Sequence, residues 1–267
     1  MGSSSMRSHS SAIMLSLDRH ESLNFADSGV TTEQPMAGSN GRQFVKYSFF
    51  KVDPLWRRLP DAERQDGKRE FAAVVEEFAT ETFTRSYSLV GLRGDADFLL
   101  WQAADSLESI QEAATRMWST RLGSYLTQPH SYLSMTNRSQ YVGHHRHPGQ
   151  EGTGVKLRPG DAKYFIVYPF LKTREWFLLP QEERQRMMSD HIALGHKYPS
   201  VKINTTYSFG LDDQEFVVAF ETDEPGDFVD LVMDLRGTEG SLYTLRDTPI
   251  FTCVRRPIDE TLDSMGG

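Results

Sequence analysis

Cysteine is almost absent. Cys253 is the only one in 267 residues, so no intrachain disulfide can form, which fits a reducing, cytoplasmic setting. There is no CxxCH with which to attach a haem covalently. Long apolar runs are missing as well, and none approaches the ~18 residues of a membrane-spanning helix. Positive charge is in the minority, with 29 Lys and Arg against 37 Asp and Glu and a net charge of −8. That balance provides no basic face for sequence-independent binding of nucleic acid. GxGxxG after a strand, a P-loop, CxxC and GxSxG are all lacking, which leaves nucleotide-binding and serine-hydrolase readings without support.

What is present is a core and a repeat. Apolar residues make up 38% of the chain, enough for one large domain or two ordinary ones. The first 41 residues are rich in Ser, Gly and small polar residues and read as a disordered tail. Beyond them, "FVKYSFFKVDPLWRRLPDAER" (44–64) is echoed by "FIVYPFLKTREWFLLPQEER" (165–184). Tyr47 matches Tyr168 at an offset of 121, and Trp56 matches Trp176 at 120. Tyr87 and Tyr207, and Pro129 and Pro249, keep the offset of 120. One offset held over separate segments is the mark of an internal duplication.

Each copy reads as βαββαβ. A strand is expected at 43–50 and at 163–170, and a helix opens at Pro60 and at Pro180, where a missing N–H costs nothing. Two strands joined by a tight turn follow, then a helix near Ser106 or Pro225 and a last strand near Ser131 or Ile250. The expected fold class is therefore α+β, a tandem ferredoxin-like arrangement of two antiparallel sheets. Each sheet has helices on one face and needs the other copy to cover its second face. The expected divisions are a tail at 1–41, domains at 42–136 and 163–257, a glycine-rich linker at 137–162 and a short tail at 258–267.

Three side chains in the second copy could carry chemistry. His191 lies with Met187, Met188, Ile192 and Leu194 at helical spacing, so it is either a satisfied core histidine or a metal or haem-iron ligand. The corresponding position in the first copy is Phe71. Tyr168 and Lys172 end an apolar strand, and could be a strand tyrosine and a solvated lysine, or a redox-active phenol and a carboxylate-holding cation. The linker cluster of His144, His145, Arg146 and His147 reads as a mobile polar loop with adventitious metal affinity.

The segments "YPFLKTREWFLLPQEERQRMMSDHIALGHKYP", "NTTYSFGLDDQEFVVAFETDEPGDFVDLV" and "YTLRDTPIFTC" resemble the chlorite dismutase-like family of haem proteins. Within it they are most similar to the coproheme decarboxylase branch, in its actinobacterial form. The resemblance implies two ferredoxin-like halves, haem in the second half and a homopentamer. It makes His191, closing "MSDH" after Met188, the axial iron ligand, and Tyr168 of "YPFLK" the redox-active residue, with Lys172 in the basic position. The arginine that chlorite dismutases carry 13 residues after this histidine is replaced by Asn204, which counts against chlorite as substrate. His147 best matches the actinobacterial distal histidine, with His145 next, and Glu239 is the candidate acceptor for the His191 N–H.

The activity so implied is decarboxylation of two propionates of iron coproporphyrin III by hydrogen peroxide, with haem b as product. Tyr168, Lys172 and His147 would be catalytic; His191, Tyr168, Lys172, Asn204 and Met188 would bind the porphyrin, and His191 its iron. The alternatives are a chlorite dismutase or peroxidase-like haem protein of the same fold, or a binding module without haem.

Overall fold

The computed structural model describes residues 41–139, 141 and 156–266. The expected tail at 1–41, but for its last residue, and most of the expected linker, including His144, His145 and His147, lie outside the described residues.

The first half runs β1 (Phe44–Val52), α1 (Asp61–Glu81), β2 (Phe83–Ser88), β3 (Phe98–Ala104), α2 (Leu107–Trp118) and β4 (Leu126–Met135). The second runs β5 (Tyr164–Lys172), a short α3 (Arg174–Leu178), α4 (Gln181–Gly195), β6 (Lys202–Tyr207), β7 (Phe216–Thr222), α5 (Pro225–Arg236), a short β8 (Thr244–Arg246) and β9 (Phe251–Arg255). Strand order is β4-β1-β3-β2 in one sheet and β9-β5-β7-β6 in the other, with every pairing antiparallel. This is the same ferredoxin-like order twice.

The two sheets close on each other. β2 pairs with β9 through Tyr87↔Arg255 and Ser88↔Val254, and β4 pairs with β6 through Met135↔Tyr207. The result is a barrel of eight strands, with β8 added alongside β5. Side chains alternate across a strand, so Val45, Tyr47 and Phe49 of β1 point inward to meet Phe165, Val167, Phe251 and Cys253. Ring pairs fill this interior: Phe49 on Phe251 at 3.9 Å between centroids, Tyr87 on Phe165 at 4.6 Å and Trp101 on Phe165 at 4.7 Å. All seven residues of β3 are buried, because helices cover its outer face and the second sheet its inner one.

Residues 258–267, expected as a tail, instead begin with a helix, α6 (Ile258–Asp263). Ile258, Leu262 and Met265 follow at i, i+4 and i+7, one helical face, and are 7%, 0% and 1% exposed in the first half's core. Lys68 of α1 pairs with Asp263 at 2.9 Å, and Arg57 Nε donates to the Met265 carbonyl at 2.9 Å. The apolar face is short, and its acidic residues hid it from a reading by composition.

Candidate functional site

Register decides which side chains meet here. Tyr47 pairs with Trp101, and Val167 pairs with Ala219, all four inside the barrel. The structural match of Tyr47 is thus Val167, and that of Tyr168 is Ser48. The sequence pairing of the two tyrosines was one residue out, and one residue flips a strand side chain to the opposite face. Tyr168 therefore points outward with Ile166 toward α4 and α5, its ring 5.8 Å from Phe220.

α4 starts at Pro180 with Glu182 and Glu183 in its first turn, where their charge suits the helix dipole. Only Met187 of this helix is buried; Met188 and His191 are half-buried. Burial and the nearby Lys172 charge pull the His191 pKa down to about 4, which keeps the imidazole neutral at physiological pH. No hydrogen bond engages either ring nitrogen among the described residues. The Tyr168 hydroxyl likewise has no hydrogen-bond partner among them, and burial raises its pKa well above that of a free phenol.

Lys172 Nζ lies 4.4 Å from the Trp176 ring centre and donates to the Gly240 carbonyl at 2.8 Å. Burial lowers its pKa to about 8. Tyr168 and Lys172 thus line the same strand beside α4, and the charge of Lys172 acts on His191. Trp176 was seen in the repeat but not as part of the site; its i, i+4 spacing from Lys172 was the available signal.

Two expectations fail on geometry. Asn204 pairs with Ala219, faces the barrel interior, and donates from Nδ2 to Glu221 at 2.9 Å. It cannot line the face that carries Tyr168; its neighbours Ile203 and Thr205 are the β6 residues on that side. The distance from His191 was correct as a count but said nothing of the strand's face. Glu239 accepts from Arg186 at 2.8 Å rather than from His191.

A neutral imidazole and a phenol, both half-buried and without hydrogen-bond partners among the described residues, fit a ligand bearing an iron and polar edge groups. No cluster of three or more His, Cys, Asp or Glu that could hold a bare ion occurs among the described residues. A single imidazole suits an iron whose other ligands come with a macrocycle. A cleft of about 730 Å³ lies elsewhere, between β2, α1 and α6, and contains none of these residues.

The chlorite dismutase family model matches residues 64–256, and the chain belongs to that family. A coproheme decarboxylase of Mycolicibacterium smegmatis is 36% identical over 177 residues, covering 66% of this chain and 74% of its own. One from Staphylococcus carnosus is 30% identical, covering 72% and 82%. Among solved structures, a chlorite dismutase from Candidatus Nitrospira defluvii superposes with a TM-score of 0.76 at 29% identity, covering 84% of this chain and 94% of that one. A haem-binding protein of Thermus thermophilus gives 0.73 at 25%, covering 83% and 94%.

Proposed function

We propose that the protein is a coproheme decarboxylase, which removes two carboxyl groups from iron coproporphyrin III and leaves haem b. The observation that carries this reading is that a neutral His191 on α4 and Tyr168 on the outer face of β5 both lack a hydrogen-bond partner among the described residues. The two curated relatives with this activity support it.

The porphyrin is at once substrate and cofactor, and supplies the oxidising chemistry once hydrogen peroxide reaches its iron. His191 would hold the iron through a nitrogen that need not first lose a proton, since its pKa lies near 4. Lys172 stays largely charged below pH 8 and holds a propionate carboxylate by a charge-assisted bond. Tyr168, kept as a neutral phenol by burial, is positioned to exchange its hydrogen with the propionate beside it. His147, in the segment outside the described residues, is the candidate base for the peroxide proton. Chlorite turnover is disfavoured, because the β6 residues on the Tyr168 side are Ile203 and Thr205, neither of them a cation. Assembly as a homopentamer in the cytoplasm completes the proposal; no described helix is long and apolar enough to cross a membrane.

The test is product analysis. Wild-type protein loaded with coproheme and given hydrogen peroxide should lose two carboxyl groups stepwise, through a three-propionate species seen by mass spectrometry. Tyr168→Phe should bind coproheme with unchanged affinity and decarboxylate at least ~100-fold more slowly. Full activity of that variant would remove Tyr168 from the chemistry, and an unchanged porphyrin mass in the wild type would reject the decarboxylase reading.

A further inference from the structure

Tyr168 is placed to give up a hydrogen, yet no group among the described residues bonds its hydroxyl. An oxidised phenol must send its proton somewhere, and a buried one cannot rely on bulk water. The surroundings narrow the choice. Ile166, Phe228 and Leu235 pack in the same cluster as Tyr168. Arg236 follows Leu235 at the end of α5 and pairs with Asp247, just past β8. β8 is fastened to Tyr168's own strand through Leu171↔Arg246. Asp247 is 19% exposed at its side chain, against 53% for Arg236. The carboxylate is thus the inner member of the pair.

Three other titratable groups near this cluster are engaged or uncharged. Lys172 of β5 is turned to Gly240, and His191 of α4 is neutral. Tyr198 donates to Asp234 of α5 at 2.8 Å. Of the charges that act on the Tyr168 phenol, Asp247 has the largest effect and Arg236 the next, with opposite signs.

We propose that Asp247, oriented by Arg236, is the proton acceptor for Tyr168 through one water. This rests on the decarboxylase reading. The phenol O–H bond would break, its proton would go to the Asp247 carboxylate, and its electron would go to the porphyrin, with hydrogen peroxide as the terminal oxidant. The phenoxyl then takes a hydrogen atom from the propionate β-carbon, which restores the phenol. A second electron leaves that carbon for the same acceptor, the bond to the carboxylate breaks, and carbon dioxide and a vinyl group remain. The proton on Asp247 ends in water formed from the peroxide oxygen. Each propionate thereby consumes one hydrogen peroxide and one proton and yields one carbon dioxide and two waters.

The first arm of the test needs no porphyrin. Tyr168→3-nitrotyrosine in the full-length apoprotein places at 168 a phenol that titrates near neutrality and absorbs apart from the other tyrosines. Adding Asp247→Asn should lower its midpoint by about one pH unit, and adding Arg236→Gln should raise it. An unmoved midpoint in Asp247→Asn would overturn the proposal whatever the protein's function. The second arm uses coproheme-loaded protein. Asp247→Asn should bind coproheme as the wild type does but slow decarboxylation by at least ~10-fold, with loss of the solvent isotope effect. Asp247→Glu should restore part of the rate. A shifted midpoint with an unchanged rate and isotope effect would show a charged neighbour that takes no proton. A wild type that fails to decarboxylate would instead refute the function on which the proposal rests.

Discussion

In the first half, the place that His191 holds in the second belongs to Phe71. Phe71 is fully buried and stands edge-on to Phe50 at 6.2 Å and Phe98 at 5.9 Å. The matching strand pair in the second half, Phe170 and Phe216, is still there at 6.2 Å, but the third ring has become an imidazole. Around Phe71, α1 buries Gly67, Lys68, Ala72, Val75 and Phe78, and α6 adds Ile258, Leu262 and Met265. Around His191, α4 buries Met187 alone, and the second half's cluster has only Ile166, Val201, Phe220 and Leu231 fully inside. One backbone plan thus serves twice. The first copy uses its helix-covered face as a core, closed by a helix that has no counterpart in the second copy among the described residues. The second copy leaves the same face thinly packed, with an imidazole and a phenol on it. A duplicated scaffold can afford such a site, because its partner half supplies stability.

That contrast can be broken from either side. Removing residues 257–267 takes three buried apolar side chains from the first half, each contributing about 1.5–3 kcal/mol. The truncated chain should lose roughly 5 kcal/mol or more in urea denaturation, and a loss under ~1 kcal/mol would mean that α6 does not close the core. Phe71→Ala should cost about 3–5 kcal/mol, as a large cavity in dry packing does. His191→Ala, at the matching position, should cost about 1 kcal/mol or less in the apoprotein. Equal penalties would erase the difference between the halves. Lys172→Met sharpens the picture more gently. With the Lys172 pKa near 8, wild-type affinity for coproheme should fall as pH rises past 8, because the cation that holds the carboxylate is lost. The variant should bind about tenfold more weakly at pH 7 and show no such fall. His191, with its pKa near 4, should impose no proton competition between pH 5 and 8.

The architecture was legible because a repeat states its elements twice. Proline openings, apolar strands and a fixed offset placed both βαββαβ units before any coordinates. The face of each strand residue was less legible. Period-two alternation is unforgiving, so a one-residue slip paired Tyr168 with Tyr47 when its true match is Ser48. The same blindness put Asn204 at the site, whereas its cross-strand partner Ala219 and its bond to Glu221 turn it into the barrel. Two groups were missed because they meet only in three dimensions: the Arg236–Asp247 pair spans a helix end and a strand end, and Trp176 comes under Lys172 as the chain turns from β5 into α3. His191 could be singled out because the helical spacing of its neighbours and the contrast with Phe71 both survive in one dimension.

The most direct measurement is a coproheme titration of wild-type apoprotein and of His191→Ala, followed by the Soret band, with urea stability measured on both. If the second half alone is the porphyrin site, the wild type will bind one coproheme per chain. His191→Ala will lose the axial signature and at least ~10-fold in affinity, while its apoprotein remains as stable as the wild type. Two porphyrins per chain, or an unchanged spectrum in His191→Ala, would contradict the account.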